Sequence, residues 1–477
     1  MRTGSLRAGG ALLLAVVVAS VVASIVASYA IRRSARWSAD GPPAGLPPGA
    51  LTLAPGGPLT IVAAGDTVIS RPIARSDHDE AFDAMVGVVR GASVAITNLE
   101  MNLLGSAAAR TARGTAAPRW TFGSAAEAAE LRRLGFDVVG QANNHATDYG
   151  PEGMLETRAI LVDSGLIPAG SGRDLAEAGA PVVVGSGARK IAVLAVAISS
   201  RPESIATPAR GIINGRPGIN PLRYAADVTV DGPTYETLRR SAPALQGGNR
   251  PTADLFTLFG TAIKKGEQTS VNLVPDARDI AALLAQVGRA RETAEVVVLS
   301  VHSHEPSNGS DQPAEFFRSL ARQAIDAGAA LVVGHGPHRL RGVEVYNGGA
   351  ILYSVGNFLY QPEEGQSPAT DLYDAGMDMY SLATGIPGRR AAGRFGAASE
   401  EWWEGAVAVA TFEAGGLRSL QVHPVDLGWD LPADRRGVPR KPVASRAVSI
   451  LERLARLSQP YNTTIRIEKG VATVDLE

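Results

Sequence analysis

The sequence predicts an α/β fold, and three observations support this prediction. Short apolar runs alternate with amphipathic segments along most of the chain, at the spacing of repeated strand and helix units. The chain has 477 residues, 45% of them hydrophobic, and is long enough to bury a sizeable core. Ligand-type side chains directly follow several of the apolar runs, at the strand ends where ligands bind in open α/β sheets.

The first element is an apolar segment that predicts membrane attachment. Residues 8–31 carry no charged side chain and have arginines on both sides, and about 20 apolar residues suffice to span a bilayer as a helix. This run is longer than the usual core of a signal peptide, about 7 to 15 residues. We expect residues 1–33 to be an N-terminal membrane anchor or signal, with retention as a single-pass helix favoured. The arginines on both flanks leave the orientation open on charge alone.

A linker rich in proline and glycine follows at 34–58 and leads into a main domain at 59–360. We predict strands at 59–66, 92–100, 136–140, 189–197, 294–305, 329–338 and 349–358. We predict helices at 80–90, 125–135, 151–165, 276–294 and 313–328. A helical insertion is expected at about 202–275, with helices at 235–246 and 252–266. Residues 361–477 should complete the same domain with a loop, two strands within 401–427, a helix at about 442–457 and a final strand pair.

Polar side chains of the types that bind metals lie at or just beyond the ends of the predicted strands. They are Asp66, Glu100, Asn144, His145, His302, His304, His335 and His338, and they include five of the 7 histidines. One histidine at such a position is more often a hydrogen-bonded core or surface residue, but this many together with two carboxylates favour a metal centre. The chain has no cysteine, so the ligands must be nitrogen and oxygen atoms, which suit a pair of hard to borderline divalent cations. Two such ions about 4 Å apart can bind a substrate oxyanion and activate water.

Six motifs in a fixed order resemble the CapA family of bacterial capsule synthesis proteins, which includes the PgsA-like proteins of poly-γ-glutamate synthesis. They are AAGD, TNLE, ANNHATDYGPEG, VHSHE, GHGPH and YSVGNF, spread over residues 59–358. The family is itself similar to calcineurin-like metallophosphoesterases. The resemblance implies a metallophosphatase-like sandwich of four layers, α/β/β/α, with mixed sheets and with two divalent ions at the strand ends.

The resemblance also implies individual roles. Asp66, Glu100, Asn144, His302, His335 and His338 would be metal ligands, with Glu100 in the bridging position. His145 would contact substrate or protonate a leaving group. His304, Asn98 and Asn357 are interpreted as substrate-binding residues. The metal identity stays open among Mn²⁺, Zn²⁺, Fe²⁺ and Mg²⁺.

Three positions depart from the patterns of the related proteins. Asp66 is followed by Thr67 and Val68, where related phosphoesterases have Asp-x-His, so one expected histidine ligand is missing. His304 is an additional imidazole in the fourth motif, where many relatives have His-Trp-Gly. Gly336 replaces a third histidine that is frequent in the fifth motif, which removes a substrate contact but no expected ligand.

Several other residues have two interpretations each. Asp148 is favoured as a helix cap over a substrate contact, and Glu305 is either a partner of a ligating imidazole or solvated. Asn143 is interpreted as a turn residue or a support for its neighbours. Trp402 and Trp403 suggest a carbohydrate platform, although packing is the better interpretation for at least one of them.

The sequence narrows the possible functions to a small number of hypotheses. The formal net charge of -1 gives no basic field that would attract nucleic acid, so no nucleic-acid partner is expected. The favoured hypothesis is a metal-dependent hydrolase at the cell membrane, with its folded domain outside the cytoplasm, acting on a phosphoester or an anionic capsule polymer. A non-catalytic accessory or export factor that binds such a polymer is the alternative, and other capsule-synthesis membrane proteins are candidate partners. A purely structural module is least favoured because it leaves the ligand-type residues unexplained.

Overall fold

A computed structural model describes residues 53, 56–71, 73, 77–105, 122–187, 189–246, 255–258, 261–362, 399–432 and 435–476. The predicted anchor and most of the predicted linker lie outside these residues, so the boundaries assigned to them stay predictions. No helix within the described ranges is both long enough and apolar enough to cross a membrane.

The strands of the described residues are numbered in chain order. They are β1 Leu59–Val68, β2 Val94–Leu99, β3 Asn102–Leu103, β4 Phe122–Gly123, β5 Val138–Gly140, β6 Ile167–Ala169, β7 Ser171–Gly172, β8 Val182–Ser186, β9 Arg189–Ala197, β10 Gly218–Ile219, β11 Tyr224–Asp231, β12 Leu255–Leu258, β13 Thr261–Gly266, β14 Ser270–Pro275, β15 Val296–His302, β16 Leu331–His335, β17 Val343–Tyr346, β18 Gly349–Leu352, β19 Asn357–Tyr360, β20 Glu404–Glu413, β21 Gly416–Asp426, β22 Ile465–Glu468 and β23 Val471–Val474.

The α-helices of the same residues are numbered likewise. They are α1 Glu80–Arg90, α2 Ala125–Leu134, α3 Gly150–Asp163, α4 Leu175–Gly179, α5 Gly232–Gln246, α6 Ala277–Thr293, α7 Glu315–Asp326 and α8 Ala444–Ser458. Short 3₁₀ helices cover Pro202–Ser204, Glu400–Trp403 and Gln459–Tyr461. The prediction of an α/β fold is confirmed.

Two mixed sheets form the body of the domain. The first has 9 strands in the order β22-β23-β21-β20-β1-β2-β5-β6, with β19 paired to β1 off this path. The second has 6 strands in the order β17-β18-β16-β15-β9-β8. Parallel pairs lie at the middle of the second sheet and join β1 to β2 and to β19 in the first.

Hydrophobic clusters show how the layers pack. A central cluster contains residues of both sheets, such as Ile96 of the first and Val298 of the second. The opposite face of the first sheet packs against α1 and α2, and the opposite face of the second packs against α6 and α7. This arrangement follows from strands that are apolar on both faces, because alternate side chains of a strand point to opposite sides of its sheet.

The prediction of a helical insertion at 202–275 is wrong in part. The helix at 235–246 is present within α5, but the segment predicted as a helix at 252–266 contains β12 and β13. These strands are antiparallel and belong to a separate sheet of 4 strands. Phe256 and Ile263 face each other across the pair and are both buried. Burial with a period of two residues is a strand pattern, and packing against α5 selected it over the helical alternative.

The tryptophans at 402 and 403 both pack inside the protein. They lie in the 3₁₀ helix before β20 rather than in a strand, and both are buried. The expected strand pair is present as β20 and β21, joined through Gly415 at positive φ. Burial of both indole rings favours packing over a carbohydrate platform.

Strand β1 changes partners at Gly65. Its first part pairs with β20 up to Ala64, and from Asp66 onward it pairs with β19. A Cβ atom on Gly65 would lie 2.2 Å from the carbonyl oxygen of Gly356. A glycine is therefore required at this crossing, directly before the first candidate ligand.

We expect Gly65→Ala to lower the free energy of unfolding by about 1–3 kcal/mol, because the backbone at Gly356 must move to accept the methyl group. Gly87→Ala is the matched control: Gly87 is exposed in α1, and an added Cβ would meet nothing within 4 Å. That substitution should be neutral or stabilising by up to about 1 kcal/mol. Urea unfolding of both variants measures the difference, and equal stability of the two would contradict the packing argument.

Candidate metal centre

The first two candidate ligands come from the middle of the larger sheet. Asp66 lies near the end of β1, and Glu100 directly follows β2, its parallel neighbour. Both carboxylates are fully buried. The backbone N–H of Glu100 donates to the carbonyl oxygen of Thr67 at 3.0 Å, which fixes the end of β2 against β1.

The histidines come from the smaller sheet. His302 ends β15 and His335 ends β16, and the two residues are direct partners in this parallel pair. His304 and His338 follow in the loops after these strands, with His338 at a φ of 58°. The carboxyl ends of strands from both sheets meet here, so carboxylates of one sheet lie close to imidazoles of the other.

Glu100 lies at the centre of the resulting cluster. Its Oε1 atom is 3.7 Å from Nε2 of His302, 3.7 Å from Nε2 of His304 and 3.6 Å from Nε2 of His338. The Nε2 atom of His145 lies 4.0 Å from the same oxygen. These separations are too long for hydrogen bonds, but they leave space for a cation between the ligand atoms.

Asp66 has a more constrained carboxylate. Its Oδ1 accepts from Nδ2 of Asn98 at 2.8 Å, and its Oδ2 accepts from the backbone N–H of Gly336 at 2.9 Å. Nδ1 of His335 lies 3.6 Å from Oδ1, and Nδ1 of His338 lies 3.7 Å from Oδ2. The carboxylate is thus oriented toward both histidines.

His335 is the clearest case of a buried imidazole whose ring nitrogens lack hydrogen-bond partners among the described residues. It is buried, and neither of its ring nitrogens has a hydrogen-bond partner among the residues that the structure describes. A buried polar group without a partner costs roughly 1–3 kcal/mol. An imidazole nitrogen that coordinates a cation would remove this cost, so the donor set fits a divalent ion.

Four imidazoles of the cluster, those of His302, His304, His335 and His338, are held in their neutral form. Burial lowers the pKa of His335 and His338 to about 3 and that of His304 to about 4. Burial and the neighbouring imidazoles place the pKa of His302 well below its ordinary value. Neutral imidazole is the form that binds metal ions, because its lone pair is available.

The carboxylates are shifted in the opposite direction. Burial raises the pKa of Asp66 to about 7, against the lowering effect of its hydrogen bonds to Gly336 and Asn98. Burial, together with the charges of Asp66 and Asp148, raises the pKa of Glu100 well above its ordinary value. Burial thus disfavours the ionised form of both carboxylates, and a bound cation would offset this effect.

The loop after β5 adds an amide and an imidazole to this cluster. Oδ1 of Asn144 lies 2.8 Å from Nε2 of His302. The Nδ1 atom of His145 lies 2.6 Å from Oδ2 of Asp148, and this contact orients the ring. Asn143 is buried and supports the loop, because its amide donates to the carbonyl oxygen of Leu99 at 2.8 Å and its oxygen accepts from the N–H of His145.

The interpretation of Asp148 as a helix cap is wrong. The N-cap of α3 is Tyr149, and no side chain there caps the helix. Asp148 instead pairs with His145, three residues earlier in the chain. The His-x-x-Asp spacing was the available signal, since the turn that precedes Gly150 brings these two side chains together.

Asn98 and Asn357 are buried beneath the cluster, with protein partners. Asn98 holds Asp66 and lies 3.3 Å from Nδ1 of His302, and its oxygen accepts from Asn143. Oδ1 of Asn357 is 3.0 Å from Nδ1 of His338, and its Nδ2 donates to the carbonyl oxygen of Trp402 at 2.7 Å. Their contacts orient the candidate ligands; direct contact with substrate stays a prediction.

Glu305 is buried, so the interpretation of a solvated side chain is wrong. Its contacts given by the described structure are with hydroxyl groups rather than with a ligating imidazole. Its carboxylate accepts from Ser199, Ser303 and the hydroxyl of Tyr224 at 2.7–2.8 Å. Ser199 in turn accepts from the backbone N–H of His304 at 2.8 Å. This path to His304 runs through the backbone, so it fixes the loop rather than the imidazole.

Two contacts that the sequence analysis missed also shape the site. Asn308 orients His304 through a contact of 2.6 Å between its Oδ1 and the imidazole Nδ1. The ring of Trp402 packs on His338, with ring centroids 4.6 Å apart. Neither contact has a signature in the sequence, because both join residues through loops whose paths depend on the surrounding fold.

The clustered side chains form two groups that could each hold a metal ion. One contains Glu100, His302 and His304, and the other contains Asp66, Glu100 and His338. In each group the ligand atoms lie within 4.8 Å of one another, and Glu100 belongs to both. His304, interpreted from the sequence as a substrate contact, thus lies among the candidate ligands.

The fold and the site together define a class: a mixed α/β protein with a buried cluster of carboxylates and imidazoles that could hold a metal ion. Comparison with known families then assigns the chain. The family model "Bacterial capsule synthesis protein PGA_cap" matches residues 60–362. The chain belongs to this family, as the resemblance to CapA proteins predicted.

Individual relatives agree with this assignment. An uncharacterized protein of Sinorhizobium fredii, y4sH, is 37% identical over 439 residues, which cover 88% of this chain and 93% of the relative. The PGA biosynthesis protein CapA of Bacillus subtilis is 28% identical over 48% of this chain and 44% of its own length. A probable polyglutamine synthesis accessory protein of Mycobacterium tuberculosis is 28% identical over 46% of this chain and 44% of its own length.

The opposed pKa shifts predict an optimum in the stability of the metal-free protein. Imidazoles with lowered pKa bind fewer protons in the folded state, so stability rises with pH until about 6.5, their ordinary pKa. Carboxyls with raised pKa bind more protons in the folded state, so their contribution is lost as pH rises through the folded pKa, about 7 for Asp66. Above pH 6.5 only the effect of the carboxyls remains. Each carboxyl that is still protonated in the folded state then lowers the free energy of unfolding by up to about 1.4 kcal/mol per pH unit.

Urea unfolding of chelator-treated protein between pH 5 and about 8.5 measures this effect. Added Mn²⁺ should abolish the loss at high pH, since the cation replaces the protons. Asp66→Asn should make the loss smaller. Metal-free stability that stays level or rises above pH 6.5 would contradict the assigned charge balance.

Proposed function

We propose that this chain is a membrane-anchored protein of capsule polymer biosynthesis, of the poly-γ-glutamate type, with a dinuclear metal centre of hydrolytic character. The folded domain lies outside the cytoplasm in this proposal. Family membership supports the process, and the name of the Bacillus subtilis relative, a PGA biosynthesis protein, supports the polymer type. The uncharged N-terminal segment supports the anchor.

One observation carries the metal centre: two fully buried carboxylates lie among imidazoles that are themselves held neutral. Burial of ionised carboxylates is strongly unfavourable without positive partners. Two divalent cations supply that charge, and the shared position of Glu100 in both ligand groups suits a bridging carboxylate.

The ligands divide between two positions. Asp66, Glu100 and His338 would hold one ion, with His335 beside Asp66 as a further ligand. Glu100, His302 and His304 would hold the other, with Asn144 in contact with His302. Mn²⁺, Zn²⁺, Fe²⁺ and Mg²⁺ all suit nitrogen and oxygen donors of this kind.

Such ions would polarise a phosphoryl or carbonyl oxygen and supply activated water. The chain itself provides proton transfer and orientation. His145 presents Nε2 toward the cluster while Asp148 holds its Nδ1, an arrangement suited to protonation of a leaving group. Trp402 and Asn357 hold His338 in place from the other side.

A second candidate function is an accessory or export role, in which the same site binds an anionic polymer without cleaving it. The Mycobacterium tuberculosis relative is named as a probable accessory protein, which favours this candidate. Both candidates require the metal centre and differ in turnover. Other membrane proteins of capsule synthesis are candidate partners in either case, and nucleic acid is not.

Metal content tests the centre itself. The purified full-length chain should bind about two divalent ions, measured by elemental analysis after incubation with Mn²⁺. Glu100→Ala should lose both ions because Glu100 belongs to both groups, whereas His302→Ala should lose one.

His78→Ala serves as the control, because His78 is an exposed histidine outside the cluster and its removal should leave the metal content unchanged. Circular dichroism should establish that each variant is folded. Unchanged metal content in both Glu100→Ala and His302→Ala would rule out the proposed centre.

Turnover tests the hydrolytic candidate. With Mn²⁺ present, the chain should hydrolyse bis-p-nitrophenyl phosphate or poly-γ-glutamate, and His145→Ala should lower kcat by about 10²- to 10⁴-fold with metal content unchanged. Asp148→Asn should have a smaller effect in the same direction, since it alters only the orientation of the imidazole. Full metal occupancy without turnover on either substrate would favour the accessory role.

A further inference from the structure

The exposure of the clustered side chains shows from which side a substrate can reach them. Asp66, Glu100, His302, His335 and His338 are all buried. The side chains of His145 and His304 are 18% and 21% exposed. Among the described residues, the cluster is thus most accessible near these two imidazoles, on the side formed by the loops after β5 and β15.

Arg201 lies on this open side, next to His145. Its Nη1 atom is 3.9 Å from Oδ1 of Asp148, the residue whose other oxygen orients His145. The side chain of Arg201 is 41% exposed. Oδ1 of Asp148 has no hydrogen-bond partner within the described part of the chain. The pair is thus too long for a hydrogen bond, and a partly exposed ion pair of this kind contributes about 0–1 kcal/mol.

The segment that carries Arg201 is fixed to the site. The hydroxyl of Ser204 lies 2.5 Å from that of Thr147, in the loop of His145. Arg216 holds the same segment by donating to the carbonyl oxygens of Pro202 at 2.7 Å and Ile205 at 2.8 Å. Arg201 also follows β9, the parallel neighbour of β15. At the end of this strand pair, Ala197 of β9 is the register partner of His302 of β15. These contacts hold the backbone that carries Arg201 against the loop of His145.

We propose that Arg201 binds a second anionic group of the substrate, a carboxylate or phosphate oxyanion next to the group held at the metal centre. This inference rests on the proposed function and names a determinant of its substrate class. A guanidinium offers a planar fork of donors that matches both oxyanions. The side chain is 41% exposed and its contact with Asp148 is weak, so an arriving oxyanion gains hydrogen bonds without breaking a strong one.

Binding measurements on the full-length chain test this role without relying on turnover. Inorganic phosphate and a poly-γ-glutamate oligomer are titrated by calorimetry into protein loaded with Mn²⁺. Arg201→Gln should weaken the binding of at least one probe by on the order of tenfold or more, as expected for hydrogen bonds to a charged group. Arg201→Lys should retain part of the affinity, because it keeps the charge but loses the fork. Weakening confined to phosphate identifies a phosphoester, and weakening confined to the oligomer identifies a carboxylate polymer.

Arg418→Gln is the matched control. Arg418 lies on β21, is 61% exposed, and has a similarly long contact with Glu413 at 3.7 Å. This variant and Arg201→Gln should retain the metal content and unfolding midpoint of the wild type.

If Arg201→Gln binds both probes within about twofold of the wild type, the inference is wrong, and a wild-type chain that binds neither probe also contradicts it. If the wild-type chain takes up no Mn²⁺ and still binds an oxyanion that Arg201→Gln binds more weakly, this inference is supported and the proposed metal centre is contradicted.

Discussion

The buried pair of carboxylates, Asp66 and Glu100, is the constraint on which the rest of the site depends. Both are fully buried, and burial raises the pKa of both because it disfavours their ionised forms. The surrounding imidazoles are neutral for the same reason, since burial lowers their pKa. Protons or external cations must therefore balance the charge. This requirement links the stability of the metal-free fold to pH and explains why so many nitrogen donors surround Glu100.

The backbone provides the precision that this cluster requires. The larger sheet delivers both carboxylates from adjacent parallel strands, and the smaller sheet delivers His302 and His335 as register partners. Gly65 permits the close crossing of β1 and the chain at Gly356 directly before Asp66. The proposed centre thus lies where the ends of two packed sheets meet, held by main-chain hydrogen bonds rather than by flexible loops alone.

A shell of polar contacts then orients the side chains. Asn98 joins Asp66 to His302, Asn357 holds His338, and Asp148 holds His145. Contacts of this type fix the ring orientation of candidate ligands, which is what a preorganised metal site needs. Arg201 lies near His145, through its contact with Asp148, and this is the side on which the proposed anionic substrate would enter.

The sequence by itself determined the α/β class, most strands and helices of the two sheets, the family and the residues that cluster, because strand periodicity and the ordered motifs are local signals. Only the tertiary structure decided the roles of Asp148, Asn98 and Asn357, since their partners depend on how loops and sheets approach one another. It also decided that residues 255–258 and 261–266 form strands, because packing of Phe256 and Ile263 against α5 overrides an ambiguous local pattern. The inclusion of His304 among the candidate ligands likewise followed from its distance to Glu100. Local sequence specifies which groups reach the strand ends, and long-range packing specifies which of them meet.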